Sequence, residues 1–249
     1  MKWPNMEIQF KSDSEVYIVV GGMSTIGQRL DLLLTGAGAT VYNIDIPQKQ
    51  DIHIRNQDNF FECNPLELEE LERIAQTLNQ SVSGLICLSG IITHFGSVLD
   101  LTPDQWNEVY NISFKSCYNA CKAFLPLLMK SKSASVVNMS SGLAFGGQAN
   151  YGPYTNAKSS VISLSKTLAT ELAPNIRVNT VAPGAVDTAF IYDENGETRF
   201  DKNSYNAITP LGTMAKPEEI AHVIAYLLSN GASHITGQCI HVNGGAMMC

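Results

Sequence analysis

Short, nearly continuous apolar runs alternate with longer stretches of helical period along this 249-residue chain. The runs are EVYIVV (15–20), TVYNID (40–45), NFFEC (59–63), GLICLS (84–89), SVVNMS (135–140), IRVNTVA (176–182) and QCIHVN (238–243). Strands that are apolar at successive rather than alternate positions suit a sheet covered on both faces, which means parallel pairing. The intervening stretches have readable starts and faces. Thr102, Pro103 and Gln105 supply an N-cap, a first-turn proline and a capping-box partner for a helix through about residue 130. Pro217, followed by Glu218 and Glu219, opens another that stops near Asn230-Gly231. Between 66 and 80, Leu71, Ile74, Ala75 and Leu78 fall on one face, and a helix from about Asn150 to Ala173 carries Val161, Leu164, Leu168 and Leu172. Strand, helix and strand repeated in this way predict an α/β fold with a doubly wound sheet. One crossover is thin: IPQKQDIHIRNQD, between Asp45 and Asn59, has little amphipathic pattern and reads as a loop or a single turn.

The length suits one large domain with a full core. No internal repeat or linker divides it, so residues 15–249 read as a single domain after an N-terminal extension, 1–14. A hydrophobic content of 45% with 16% charged residues is ordinary for a soluble globular protein. The net charge of −7 argues against nucleic acid as a partner. MKWPNMEIQF lacks the apolar run of a signal peptide, and no stretch approaches the roughly 18 apolar residues of a membrane span. The expectation is a cytoplasmic enzyme with no membrane partner. The six cysteines (63, 87, 117, 121, 239 and 249) form no CxxC. Cys117 and Cys121 share a helix face, but two thiols alone make a poor zinc site, so the cysteines read as reduced and mostly buried and no metal is assigned.

Chemistry enters with VVGGMSTIGQRL (19–30), where the first strand runs through glycines into a helix. Such a turn lets backbone amides approach a pyrophosphate at a helix N-terminus, although a short Gly-rich match is often only a tight turn. Asp45 changes that balance: it ends the second strand, 18 residues after Gly27, where a carboxylate accepts the ribose hydroxyls of NAD and repels a 2′-phosphate. Two tyrosine–lysine pairs follow at one-turn spacing, Tyr118 with Lys122 and Tyr154 with Lys158, and spacing alone does not choose between them.

GGMSTIG, Asp45, Asn111, MSS (139–141), YTNAK (154–158), APG (182–184), PLGTMAKPEEIA (210–221) and ITGQCIHVNGG (235–245) together resemble the short-chain dehydrogenase/reductase family, in the family's order and over roughly residues 15 to 245. The resemblance implies a single Rossmann-like domain with a seven-stranded parallel sheet, assembled as a homotetramer with a homodimer as the fallback. The family places a serine 13 residues before its tyrosine at a strand end; Ser141 stands there relative to Tyr154, whereas counting back from Tyr118 reaches Gln105. Tyr154 is therefore the catalytic candidate, Tyr118 a surface residue and Tyr151 a pocket wall. A free phenol near pKa 10 is a weak base at neutral pH, and Lys158 beside it favours phenolate. Ser141 holds the substrate oxygen. The resemblance gives Lys158 the nicotinamide ribose as well, and gives Asn111 a water linking Lys158 to solvent.

By the same resemblance NAD meets Gly21, Met23, Ser24, Thr25, Ile26 and Gly27 of the first turn, and Asp45 and Ile46 after the second strand. Cys63 and Asn64 follow the third strand and Ser89, Gly90 and Ile91 the fourth. Pro183, Gly184, Val186 and Thr188 follow the sixth, with Tyr154 and Lys158 completing the set. Phe95, Leu143, Phe145, Gln148 and Tyr151 are the substrate-pocket candidates, with AFIYDENGETRFDKNSYN (189–206) inside a lid of about 187–210 that carries Arg199. The chain departs from the family pattern at Val20 and Thr25, at Cys87-Leu88-Ser89-Gly90 in place of Asn-Asn-Ala-Gly, and at Asn64-Pro65. Thr25 and Pro65 predict weakened NAD binding. The resulting expectation is an NAD(H)-dependent alcohol dehydrogenase or ketone reductase acting on a small secondary alcohol/carbonyl pair. The other readings are an NADPH-dependent 3-oxoacyl-carrier-protein reductase, opposed by Asp45 and the absence of a basic residue at Ser24, and a non-catalytic dinucleotide-binding sensor or scaffold.

Overall fold

The computed structural model describes residues 15–46, 57–192 and 196–248. The N-terminal extension, most of the thin crossover (47–56), lid residues 193–195 and Cys249 lie outside the described residues.

Seven strands form one parallel sheet: β1 (Val16–Val20), β2 (Thr40–Asp45), β3 (Phe60–Glu62), β4 (Gly84–Cys87), β5 (Ala134–Met139), β6 (Ile176–Pro183) and β7 (Cys239–Val242). Their spatial order is β3-β2-β1-β4-β5-β6-β7. The chain winds outward from β1 in one direction and then returns to continue from β4 in the other. The strand ends diverge at that reversal, and a crevice opens beyond the carboxyl ends of β1 and β4.

Alternate residues of β1 show why its run is apolar throughout. Val16, Ile18 and Val20 join a core with α2 (Leu68–Leu78), α4 (Ser116–Leu128) and α5 (Gly152–Leu172). Tyr17 and Val19 join a second core, on the opposite face, with α1 (Thr25–Gly36) and α7 (Pro217–Leu228). Both faces are dry, as the unbroken hydrophobicity predicts.

The single helix expected from 102 to about 130 is three segments. Thr102 and Gln105 form the reciprocal cap of α3 (Pro103–Tyr110), as the sequence predicts. The backbone then widens into a π turn over Asn111–Lys115 before α4 begins. Hydrophobic period does not register one surplus residue within a helix, so this interruption is invisible in the sequence pattern. The fourth strand also stops two residues short of its apolar run, because Ser89 and Gly90 turn toward α5. The lid region contains a short 3₁₀ turn, Ala189–Ile191, and α6 (Lys202–Ile208), capped by Asp201.

Candidate active site

The crevice floor begins at the glycine turn. Gly21 takes a positive φ of 83°, which a side chain opposes. A Cβ on Gly27 would run into the carbonyl oxygens of Gly22 and Gly21, so only glycine lets α1 pack this closely on the turn. Ser24 caps α1: its Oγ accepts the Gly27 N–H at 3.1 Å, and its carbonyl accepts that of Gln28. Among the described residues the N–H groups of Thr25 and Ile26 have no such partner and remain at the positive end of the helix. Asp45 closes the other side, with Oδ2 accepting the Met23 N–H at 2.9 Å and Oδ1 that of Ile46 at 2.9 Å. Burial pushes the Asp45 carboxyl up, and these two N–H groups pull it back.

Beyond β3, the Asn64-Pro65 turn is held from α4. Asn119 Nδ2 donates to the carbonyls of Pro65 (3.1 Å) and Leu66 (2.9 Å), while Asn64 Oδ1 accepts the Leu66 N–H. Cys63 is buried and Asn64 exposed. After β4, Ile91 exchanges hydrogen bonds with Ser113: its N–H donates to Oγ at 3.2 Å, and its carbonyl accepts from that hydroxyl at 3.4 Å. Ser113 lies in the π turn and is fully buried. After β6, Gly184 packs against the Tyr205 hydroxyl, which accepts the Ala185 N–H at 2.9 Å and so fastens the Pro183–Thr188 loop to α6. The loop continues through a parallel bridge from Val186 to Ala215.

Three of the four catalytic candidates meet at the carboxyl end of β5. Ser141 takes the Leu143 N–H on Oγ at 3.2 Å, and its hydroxyl favours the ionised form of the Tyr154 phenol. Tyr154 lies in the first turn of α5, just after Pro153, and Lys158 follows one turn later with its Nζ 5.8 Å from the Tyr154 ring centre. That ammonium is 2% exposed and donates to the carbonyls of Ser89 and Met139, each at 3.0 Å. The fit is close: a Cβ on Gly90 would lie 2.9 Å from Nζ. Burial drives the two groups in opposite senses, pushing the Tyr154 phenol up to about 12, partly offset by Ser141, and the Lys158 ammonium down to about 8. Asn111, the fourth candidate, opens the π turn, which packs against α5.

Tyr118 and Lys122 are exposed on α4, away from this cluster. Two supporting residues escaped the sequence reading, Ser113 and Ser140. Ser140 Oγ donates to the Lys158 carbonyl at 2.8 Å and pins α5 to the end of β5. Each acts through a contact between segments distant in the chain, which local pattern does not carry. On the rim, Phe95 and Tyr151 stack edge to face at 5.1 Å, the Arg199 guanidinium lies 5.4 Å over Phe95, and Phe190 faces the Tyr154 ring at 6.1 Å. Phe145 packs on His241 at 4.4 Å, Leu143 is half-buried, and Gln148 is exposed.

The family model described as Enoyl-(Acyl carrier protein) reductase matches residues 21–247. The chain is similar to the 3-oxoacyl-[acyl-carrier-protein] reductase FabG of Thermotoga maritima, 30% identical over 248 residues, covering 95% of this chain and 99% of that protein. It is also similar to human dehydrogenase/reductase SDR family member 4, 34% identical over 191 residues, covering 74% of this chain and 67% of the relative. Among solved structures it resembles the short-chain dehydrogenase/reductase from Brucella melitensis named glucose/ribitol dehydrogenase. That likeness has a TM-score of 0.87 at 26% identity and covers 97% of this chain and all of that one.

Proposed function

Because the chain belongs to the short-chain dehydrogenase/reductase family, whose members bind a nicotinamide dinucleotide, we propose that it reduces the ketone of a 3-oxoacyl thioester to a secondary alcohol with NADH. The observation that carries the reaction type is the buried Ser141–Tyr154–Lys158 arrangement. The acyl substrate is supported by relatives named 3-oxoacyl-[acyl-carrier-protein] reductase, matched along nearly the whole of this chain.

The crevice suits the cofactor. The Thr25 and Ile26 amides and the glycine turn would hold the pyrophosphate. Asp45 would take the adenosine ribose, and its charge disfavours a 2′-phosphate. Lys158 and the 183–188 loop would hold the nicotinamide half. When bound, the nicotinamide supplies the hydride in reduction and accepts it in oxidation.

The rest of the chemistry belongs to the chain. The Ser141 hydroxyl donates to the substrate carbonyl oxygen and fixes it beside Tyr154. The Tyr154 phenol gives that oxygen its proton as the alcohol forms. Burial keeps the phenol protonated, which is the state a reductive cycle starts from. In the opposite direction the phenolate is required, and Lys158, still mostly an ammonium at neutral pH, stabilises it. The Phe95–Tyr151 stack and Phe190 give the acyl chain an apolar wall, and Arg199 sets one cation at the rim for an anionic end of the substrate.

Steady-state assays of acetoacetyl thioesters, simple ketones and aldoses with NADH and NADPH test this reading. The expected result is thioester reduction with NADH at a kcat/KM about tenfold or more above the other carbonyls, consistent with one or two added contacts. Binding of NADH without turnover of any carbonyl would instead support the sensor reading.

A further inference from the structure

The catalytic arrangement leaves one group of reactive side chains unused. Cys87 ends β4, and Cys117 and Cys121 lie one turn apart at the start of α4. Their sulfur atoms all lie within 4.8 Å of one another, and all three residues are buried. Cys117 and Cys121 alone are an ordinary helix pair; the sheet supplies the third thiol. It stands where the family pattern carries an asparagine, so this is a feature of this chain rather than of the dinucleotide fold.

We propose that Cys87, Cys117 and Cys121 form a three-thiolate site for a single Cu(I) ion. The donor chemistry selects a soft cation. With metal–sulfur bonds of about 2.3 Å, the sulfurs of a planar trigonal site stand about 4 Å apart, a small contraction from the spacing here. Coordination number decides among soft ions. Zinc in a structural site takes four ligands, and among the described residues no fourth histidine, cysteine or carboxylate joins the group. A d¹⁰ monovalent copper ion is satisfied by three thiolates.

Position and charge both suit the occupant. Cys87 is held in register between Val20 of β1 and Asn138 of β5, and Cys121 Sγ lies 3.9 Å from Asn138 Oδ1. Asn138 is itself fixed by donating to Ser165 at 2.9 Å. Binding replaces three thiol protons by one Cu(I), leaving a complex of charge −2 and releasing three protons, with no change in oxidation state. The Lys158 ammonium lies near enough for charge on Cys117 and Cys87 to act on it, and it offsets part of that excess.

The test is anaerobic titration of the full-length, reduced protein with Cu(I) in competition with bicinchoninate, followed by copper X-ray absorption. One equivalent per chain should be withheld from the probe, with three sulfur neighbours and no nitrogen. Cys87→Ser and Cys117→Ser should each lower the affinity ~100-fold or more, and Cys63→Ser should leave it unchanged. Melting curves identify any variant that fails to fold; Cys87→Ala and the wild-type sulfur count then decide. Unaltered binding in Cys117→Ser, a sulfur count other than three, or no competition with the probe overturns the proposal. None of these readouts depends on the substrate or on NADH, so the site stands or falls separately from the catalytic reading.

Discussion

Asp45 Oδ2 accepts the backbone N–H of Met23 at 2.9 Å, tying the end of β2 to the turn that leads into α1. The same carboxylate therefore shapes the turn and presents charge to the ribose site. Asp45→Asn keeps an acceptor for Met23 while removing the charge. The ratio of kcat/KM for NADH over NADPH should fall about 10- to 100-fold, the range of one or two charge-assisted hydrogen bonds. An unchanged ratio would show that cofactor choice lies elsewhere.

Tyr154→Phe removes the proton donor but leaves the ring packed against Phe190. Turnover should drop by about 10²- to 10⁴-fold with NADH affinity nearly intact, since general acid–base catalysis contributes that much. Tyr118→Phe, on the exposed face of α4, should alter the rate little. Parallel steady-state and fluorescence titrations separate the two variants.

Burial places Lys158 at about 8 against an ordinary 10.5. Between those values the unfolded chain holds more protons than the folded one, so this residue makes stability rise with pH. Below pH 8 the full cost of its buried charge is present, on the order of 3 kcal/mol. Lys158→Met should thus be inactive yet more stable at pH 7 by about 1 to 3 kcal/mol, lost carbonyl hydrogen bonds reducing the gain. The advantage should shrink as pH approaches 10.5. Denaturant unfolding of both proteins at pH 7 and pH 10 measures it, and a constant difference would mean that burial does not depress the lysine below its ordinary 10.5.

Thr25 and Pro65 predict weaker NAD binding than glycine and an N–H-bearing residue would give. The turn at Pro65 has a fastening of its own through Asn119, so its geometry does not depend on a backbone N–H at that position. Thr25→Gly should tighten NAD about fivefold by calorimetry, the worth of roughly 1 kcal/mol. Pro65→Val should gain a comparable amount only if the restored amide meets the adenine. No gain in either variant would remove both residues from the account of affinity.

Assembly is open to direct measurement. Tyr118, Leu125, Leu168 and Leu172 line an open apolar groove between α4 and α5, a face that a second copy of the chain would cover. A homotetramer is expected by light scattering at micromolar concentration, with a homodimer as the smaller form. A monomer would contradict both.

The parts of this molecule legible in the sequence are those encoded locally. Seven apolar runs became seven strands, the inner β1, β4 and β5 buried along their whole length and the edge strands β3 and β7 only partly covered, and the Thr102–Gln105 cap was readable because its partners stand three residues apart. Tyr154 could be told from Tyr118 only by the serine on the neighbouring strand end, and Ser141 acts on the Tyr154 phenol in the fold. What local pattern does not hold is pairing across elements. Ser113 reaches Ile91 across 22 residues, and Cys87 reaches Cys117 and Cys121 only because β4 and α4 pack together.

The π turn at Asn111–Lys115 carries one residue more than an α-helix of the same rise. Deleting a single residue there would restore regular winding and keep α3 and α4 in their present phase, because the widened turn absorbs the surplus residue; what is lost is the turn itself. The Tyr110 hydroxyl would stay near Ser160 on α5, but Asn111 and Ser113 would lose the widened backbone that places them, and with it the paired hydrogen bonds of Ser113 to Ile91. A length change that improves the helix as a helix would thus dismantle the site beside it. This stretch should accept substitutions far more readily than deletions.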